Sequence, residues 1–484
     1  MRRSDLLLGL WVLFACAYFY NGASWNQNAR LDPIFAFVES GPDQGSFRID
    51  RFLYLTERAP VPLDNTGDWA YHDGHFYSNK APGTTLIGIP FYLLIYHAEQ
   101  ALGLDVDEPV LQAMNAYLIN LWVSGFFVTL ATVAFRHLLE RSGTPPGPAL
   151  AVALLLFFAT ALFPYSTQLW GHTTAAAMLV LALHAQSQAG RERTQWAGFA
   201  AGLAVLTEYT AIIAVAALGV MLLLQHWRRG LDYALGGMLP LALFLYYHWV
   251  CFGSPFALAS SFSNPAFIDA NRQFGLLGLP TLAVLYELTF SPYRGIFTQM
   301  PILLAGVTGL GLWLWHSPRS GLGWVALTGS LGLLLLIAGF NGWHGGATVV
   351  SRYLIVAFPL LLLGLPRLLS LRWAWLPVGV VTAVSCANMF VIAAVSPLSL
   401  ENESNPLYGL AYKLFFSGQF HQFASTIRLH ALLPDVDQID ALRGWNLGEL
   451  LGLEGFATLL PFFVGSALLG FALYRAVQQE GKPS

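Results

Sequence analysis

Long apolar segments recur along the whole chain, and they restrict its fold more than any other feature. An α-helix needs about 20 apolar residues to cross a hydrocarbon core of about 30 Å. The alternating apolar pattern of a β-barrel strand is absent. We therefore predict an all-α polytopic membrane protein with about 12 transmembrane helices in one membrane domain, residues 1–484. The predicted spans lie near residues 6–22, 109–135, 147–168, 173–189, 195–208, 209–227, 232–252, 296–316, 322–341, 352–370, 373–397 and 456–475.

The composition agrees with a membrane protein. Only 11% of the residues are charged and 56% are hydrophobic, whereas about a quarter of a soluble domain is charged. A net charge of −3 excludes the basic face that nucleic-acid binding requires. Cys16, Cys251 and Cys386 lie in apolar segments with neither metal-ligand spacing nor an evident disulfide partner. The segment after Met1 has no small-residue cleavage site, so we expect it to be retained as the first helix.

Basic residues near the helix ends predict the orientation. The positive-inside rule places these residues on the cytoplasmic side, together with both termini. They are Arg2, Arg3, Arg136, Arg141, Arg191, Arg193, Arg228, Arg229, Arg319, Arg367, Arg372, Arg475 and Lys482. Three long loops, 23–108, 253–295 and 398–455, then face outward. Residues 84–101 are apolar, but counting them as a span would reverse every later loop, so we predict a helix at the outer interface.

The first outer loop, 23–108, contains the densest group of residues capable of chemistry. It is expected to form short helices packed on the outer face of the membrane. Its carboxylates, imidazoles, phenol and ammonium are Asp50, Asp68, Asp73, His72, His75, Tyr77 and Lys80. Aromatic residues lie between them, which suits a folded, membrane-seated element with a ligand-facing side. The alternative is a solvated loop with surface ion pairs.

Two arginines lie at outer helix ends, where the positive-inside rule disfavours them. Arg294 follows Ser-Pro-Tyr, and Arg352 follows the segment that begins Trp-His-Gly-Gly. A guanidinium near hydrocarbon needs an anionic partner or a wet cavity. Together with Lys80 and His344 they suggest a site for an anionic headgroup, since arginine offers bidentate donors to phosphate. Each arginine could instead pair with a loop carboxylate.

Two further polar residues lie at outer helix ends. Glu208 interrupts an apolar segment, so it must be hydrated or paired, and it is a potential partner for an arginine. His172 is either a satisfied interfacial residue or part of the same site. Carboxylates on the outer face can act as a general base, and cations at the membrane boundary can stabilise a departing lipid phosphate. This combination is typical of sugar transfer from a lipid-phosphate donor.

Five sequence blocks resemble the GT-C superfamily of polyprenyl-phosphate-sugar glycosyltransferases, particularly bacterial protein mannosyltransferases and the aminoarabinose transferase of lipid A. These blocks are residues 66–70, 77–83, 291–295, 343–346 and 352–354. The resemblance implies inverting transfer at the periplasmic face of the bacterial inner membrane. It implies a base from the first outer loop and a lipid phosphate held by basic residues. Many members carry Asp-Glu shortly after the first helix, where this chain has residues 26–30 without a carboxylate.

Several assignments stay open at this level. The base is one of Asp32, Asp50, Asp68 and Asp73. Ligand-binding residues are predicted to be Lys80, Arg294, Arg352, His344, His75, Tyr77, Arg30, Glu208 and His172. We predict no metal-ligand residues and no definite cofactor, and the use of a divalent ion is left open. The acceptor is a glycan, lipid or protein. The alternatives to an enzyme are a flippase of lipid-linked glycans and a catalytically silent relative that binds or scaffolds.

Overall fold

The computed structural model describes residues 2–22, 24–53, 66–106, 108–273, 275–420 and 444–480. Parts of two predicted outer loops, 54–65 and 421–443, lie outside the described residues. Helices dominate the rest. They are α1 (Arg3–Tyr18), α2 (Trp25–Val38), α3 (Asp50–Leu53), α4 (Gly83–Ala101), α5 (Pro109–Asn120), α6 (Phe127–Arg141), α7 (Pro146–Phe158), α8 (Leu162–Tyr165), α9 (Gly171–Gln186), α10 (Arg191–Thr207), α11 (Ile212–Gln225), α12 (Trp227–Gly236), α13 (Met238–Phe252), α14 (Leu282–Thr289), α15 (Ile296–Gln299), α16 (Ile302–His316), α17 (Gly321–Ala338), α18 (Phe358–Leu362), α19 (Leu365–Leu369), α20 (Trp375–Val395), α21 (Tyr412–Phe416), α22 (Leu447–Leu450) and α23 (Leu460–Glu480).

Four helical segments of the described chain are long and apolar enough to cross a membrane. They are Val110–Arg141, Gly321–Ala338, Arg372–Val395 and Gly455–Glu480. The pair α12 and α13, bent by 44°, would make a fifth if counted as one span. This confirms the helical, polytopic membrane class, while the number of about 12 spans stays a prediction. The helix α4 is not among the four, and its place at the interface likewise stays a prediction.

Several predicted spans depart from a regular α-helix in the structure. In the predicted span 109–135, α5 and α6 form one continuous helical segment through a π-helical turn, Leu121–Phe126. Residues 352–370 form a 3₁₀ turn, Arg352–Ala357, followed by α18 and α19. The predicted break near Glu208 is present, because α10 ends at Thr207 and a 3₁₀ turn, Tyr209–Ala211, leads into α11.

The helix α9 lies at the centre of the bundle. Nearly every residue from Gly171 to Leu183 is buried, against α6, α10 and the Arg352–Ala357 turn. Near its far end the ring of His184 lies 6.0 Å from that of His137 on α6. Beside them, Arg136 contacts Asp5 at 3.0 Å and Glu140 at 3.1 Å. This ion network ties α1 to α6 at the end opposite to the start of α9.

The first outer loop contains a β-hairpin that the sequence analysis missed. Strands β2 (Trp69–His72) and β3 (His75–Ser78) pair antiparallel, with Trp69 opposite Ser78. A second short pair joins β1 (Phe19–Tyr20) to β4 (Trp445–Asn446). The turn between β2 and β3 consists of two residues, Asp73 and Gly74, and both have positive φ, 49° and 83°. Asp-Gly between alternating apolar residues is a strong hairpin signal, and it was available in the sequence.

Candidate functional site

Two glycines allow three helix ends to meet at one end of the bundle. A Cβ atom on Gly83, the first residue of α4, would lie 2.6 Å from the Cα atom of Thr207. A Cβ atom on Gly171, the first residue of α9, would lie 2.5 Å from the carbonyl oxygen of Thr207. Real Cβ contacts are longer, so only glycine permits these approaches. The starts of α4 and α9 therefore lie against the end of α10, and their polar residues are brought together.

Lys80 and Asp68 form the first ion pair of this site. The Lys80 ammonium lies 2.9 Å from an Asp68 carboxylate oxygen, and both side chains are largely buried. Asp68 immediately precedes β2 and Lys80 follows β3 by two residues, so the hairpin register brings them together at its open end. Burial lowers the pKa of Lys80, and the Asp68 carboxylate opposes that shift.

Glu208 is shared between an arginine and a histidine. Its carboxylate lies 3.0 Å from Nδ1 of His172 and 3.8 Å from Nη2 of Arg30. The Arg30 guanidinium also donates to the carbonyl of Ala81 and to the hydroxyl of Thr84, each at 3.2 Å. Arg30 is 2% exposed, so α2 contributes a fully buried cation to this end of the bundle.

Arg352 completes the cluster. Its guanidinium lies over the ring of Trp170 at 4.6 Å and near the ring of Tyr353 at 5.1 Å. Its Nε atom is buried and has no hydrogen-bond partner among the described residues. Together with burial, its positive charge contributes to lowering the pKa of both Lys80 and Arg30. A buried, incompletely bonded guanidinium in contact with two aromatic rings is suited to receive an anion.

We call Arg30, Asp68, Lys80, His172, Glu208 and Arg352 the polar cluster. Among the described residues that compose it, three permanent or near-permanent cations face two carboxylates, which leaves one positive charge in excess. A buried excess charge is costly unless a counter-charge binds. The polar cluster can therefore hold a singly charged anion next to a carboxylate.

Arg294 and His344 lie beside the polar cluster but have other contacts. The Arg294 guanidinium donates to the carbonyls of His344 at 2.8 Å and Gly346 at 2.9 Å, and it lies 3.8 Å over the Tyr293 ring. Nδ1 of His344 accepts the backbone N–H of Gly346. Burial lowers the pKa of His344, and Glu401 at 3.4 Å opposes this. These contacts fix the turn at 343–346, and the role of both residues in anion binding stays a prediction.

The closed end of the hairpin holds the other residues predicted in this loop. Asp73 is exposed in the turn, and Asp50 bonds the His75 ring at 3.1 Å and the Phe76 N–H at 3.0 Å. Strands of four residues separate the two ends of the hairpin by about 10 Å. The Tyr77 ring is buried against Phe252. The structure thus brings Asp68 into the polar cluster and leaves Asp50, Asp73 and His75 at the far end.

Asp32, the remaining predicted base, is buried in α2 two residues after Arg30. Side chains two residues apart on a helix point to different faces, so Asp32 and Arg30 do not share one. Trp170 and Tyr353 were not predicted as site residues. The signal for Trp170 was an aromatic residue directly before Gly171 and His172 at a helix start. Within the described ranges, no group of three or more His, Cys, Asp or Glu side chains is arranged to hold a metal ion.

Comparisons with known proteins give one structural likeness. No protein-family model matches the chain, and no curated protein sequence matches it. The chain is similar in structure to ArnT from Cupriavidus metallidurans, whose crystal structure was determined bound to undecaprenyl phosphate. The two share 14% sequence identity with a TM-score of 0.46, over 97% of this chain and 77% of that one. A similarity of this size decides neither the family nor the reaction of this chain.

Proposed function

We propose that this chain is a membrane glycosyltransferase that transfers a sugar from a polyprenyl-phosphate donor to a glycan, lipid or protein of the cell envelope. The observation that carries the proposal is the placement of Asp68 beside the buried cations Lys80 and Arg352. Sugar transfer needs these two kinds of group together, a base for the acceptor and cations for the leaving phosphate.

The proposed reaction uses the polar cluster as follows. Asp68 accepts the proton of an acceptor hydroxyl while that oxygen attacks the anomeric carbon of the donor sugar. The bond from this carbon to the phosphate oxygen breaks, and its electron pair stays on the phosphate. The phosphodiester becomes a monoester with more negative charge, which Lys80, Arg352 and Arg30 stabilise. Transfer of this kind inverts the anomeric configuration because the attack is opposite to the leaving group.

The contacts of the two cations support a mode of donor binding. Lys80 is paired with Asp68, and its flexible stem allows its ammonium to turn toward a phosphate oxygen. The buried Nε atom of Arg352 has no hydrogen-bond partner among the described residues, and its guanidinium contacts the rings of Trp170 and Tyr353. The polyprenyl chain would extend from the polar cluster into the lipid. The proposed location is the bacterial inner membrane with this end toward the periplasm.

A binding comparison tests the proposal directly. We expect the purified protein in lipid nanodiscs to bind undecaprenyl phosphate and to bind undecaprenol, which lacks the phosphate, at least tenfold more weakly (about 1.4 kcal/mol). Equal affinity for both lipids would exclude a phosphate site. Deletion of the gene should also remove one sugar from surface lipids or polysaccharides in mass spectra. Binding without any such loss would favour the catalytically silent alternative.

The orientation has its own test. The His75 side chain is partly exposed at the closed end of the hairpin. A His75→Cys variant, made in a background without the three native cysteines, should react with a membrane-impermeant maleimide added to intact spheroplasts. Reaction only after the membrane is permeabilised would place the polar cluster on the cytoplasmic side.

A further inference from the structure

The loop after α13 returns to the hairpin immediately beside Asp68. The backbone N–H of Asn264 donates to the carbonyl of Trp69 at 3.0 Å, and its side-chain Nδ2 donates to the carbonyl of Gly67 at 3.2 Å. Gly67 and Trp69 are the residues on either side of Asp68. One asparagine therefore holds both carbonyls that flank the carboxylate in the polar cluster.

The same loop also bonds the segment between α17 and Arg352. Gly278 N–H donates to the carbonyl of Gly339 at 2.7 Å, and Asn341 N–H donates to the carbonyl of Leu276 at 2.9 Å. The Asn341 side chain also donates to the carbonyl of Phe267 at 3.0 Å. We call residues 263–273 and 275–278 the strap. Asn264 joins the strap to the hairpin, and Asn341, in the turn after α17, bonds the strap at Phe267, Gly275 and Leu276.

The backbone at Asp68 has a second support on the opposite side. The Asp68 N–H donates to the hydroxyl of Thr66 at 3.0 Å, and this hydroxyl donates to the carbonyl of Trp25 at 2.8 Å. A Cβ atom on Gly67 would lie 2.6 Å from the Trp25 ring, so Gly67 is pressed against α2. Thr66 and Trp25 fix the N–H side of Asp68, and Asn264 fixes its neighbouring carbonyls.

We propose that Asn264 is a positioning residue that sets the place of the Asp68 carboxylate relative to Lys80. This inference rests on the proposed function, because it assumes that Asp68 is the base. A base must lie within hydrogen-bond reach of the acceptor proton, and displacement by about 1 Å can lower the rate about 100-fold. Donor binding depends on Lys80 and Arg352, which Asn264 does not contact.

An isosteric substitution separates this role from a structural one. The Asn264 Oδ1 atom also accepts the N–H of Ala266 at 3.1 Å, which caps a short 3₁₀ turn. Asn264→Asp keeps this acceptor and removes the Nδ2 donor to Gly67, whereas Asn264→Ala removes both. Asn341→Asp and Asn341→Ala remove a side-chain donor to the Phe267 and Gly275 carbonyls of the strap, which do not flank Asp68, and they serve as controls.

The four variants are compared by two measurements, undecaprenyl phosphate affinity in nanodiscs and sugar modification in the complemented deletion strain at matched protein levels. We expect both Asn264 variants to keep the affinity within about twofold and to lower modification at least about tenfold. The Asn341 variants should change neither by more than about twofold.

Two results would overturn the role of Asn264. Wild-type modification in Asn264→Asp would show that only the Ala266 cap matters. An equal loss in the Asn341 variants would show that the strap acts only as a structural unit. A failure of the proposed function looks different, because the wild-type protein itself would then bind no undecaprenyl phosphate or its deletion would leave every glycan unchanged.

Discussion

The Lys80 ammonium lies 2.9 Å from the Asp68 carboxylate, at the open end of a hairpin whose closed end carries Asp73. This pairing distinguishes the carboxylates of the first outer loop by position, which composition alone does not do. Asp68 adjoins the buried cations, while Asp50 is bonded to His75 and to the strand backbone.

Substitution of Asp68 should therefore lower sugar transfer much more than substitution of Asp73. We expect Asp68→Asn to lower sugar modification at least about 100-fold, because a general base typically contributes 10²- to 10⁴-fold. Asp73→Asn should leave it within about twofold, since asparagine also tolerates positive φ in the turn. Mass spectrometry of the modified glycan in complemented cells measures both. Full modification by Asp68→Asn would reject this residue as the base.

The affinity for a lipid phosphate should fall at alkaline pH. Burial lowers the pKa of Lys80 below its ordinary value of 10.5. The charged form is lost as the pH rises through that lowered pKa, so its attraction for phosphate is present below it and absent above it. In Lys80→Arg the guanidinium stays charged, and the affinity should stay constant over the same alkaline range. Titration of undecaprenyl phosphate in nanodiscs at several pH values compares the two proteins. The same dependence of affinity on pH in both proteins would contradict a phosphate contact by Lys80.

Close packing at Gly83 should make the fold sensitive to a single methyl group. In Gly83→Ala the new Cβ atom would contact the backbone of Thr207, and overpacking of this kind costs about 1–3 kcal/mol. Gly311→Ala is the control, because no atom lies within 4 Å of its Cβ position and alanine favours a helix. Thermal unfolding in detergent should show a lower Tm for Gly83→Ala and an equal or higher Tm for Gly311→Ala. The reverse order would contradict the contact of α4 with α10.

The sequence predicted the membrane class because apolar length is a local property of the chain. It also singled out Arg352 and Glu208, since a charge at an apolar boundary must be paired or functional. Lys80 was singled out as a further cation of the first outer loop, and Arg30 as part of the segment after the first helix. The choice among the carboxylates was not predictable in this way, because it depends on a hairpin register set by the Asp73-Gly74 turn.

Other features required contacts between distant parts of the chain. Trp170 joins the site only because α9 starts where α10 ends, and Asn264 reaches Gly67 across almost 200 positions of sequence (a separation of 197). The carbonyl partners of Arg294 belong to a turn about fifty residues further on, at sequence separations of 50 and 52. Spacing within one sequence contains no information on such pairings.

The ion network at the opposite end should contribute to stability and leave lipid binding unchanged. Arg136 is 2% exposed and contacts both Asp5 and Glu140. Among the described residues, Arg136→Ala removes this buried cation and leaves the two carboxylates only their contacts with Arg2 and His137, at a cost of up to about 3–5 kcal/mol. Arg191→Ala removes an exposed pair with Asp232 and should cost at most about 1 kcal/mol. Thermal unfolding in detergent measures the difference. Similar Tm values for the two variants would contradict a larger contribution of the buried network to stability.

The affinity of Arg352→Ala for undecaprenyl phosphate in nanodiscs tests most directly whether the buried cations of the polar cluster bind a lipid phosphate. Arg272→Ala is the control, because this arginine lies on the strap and contacts Asp269 and the carbonyl of Gly339, both outside the polar cluster. The loss of a charged hydrogen bond predicts about 10- to 100-fold weaker binding by Arg352→Ala and wild-type binding by Arg272→Ala. Unchanged affinity in Arg352→Ala, or an equal loss in both variants, would contradict the account.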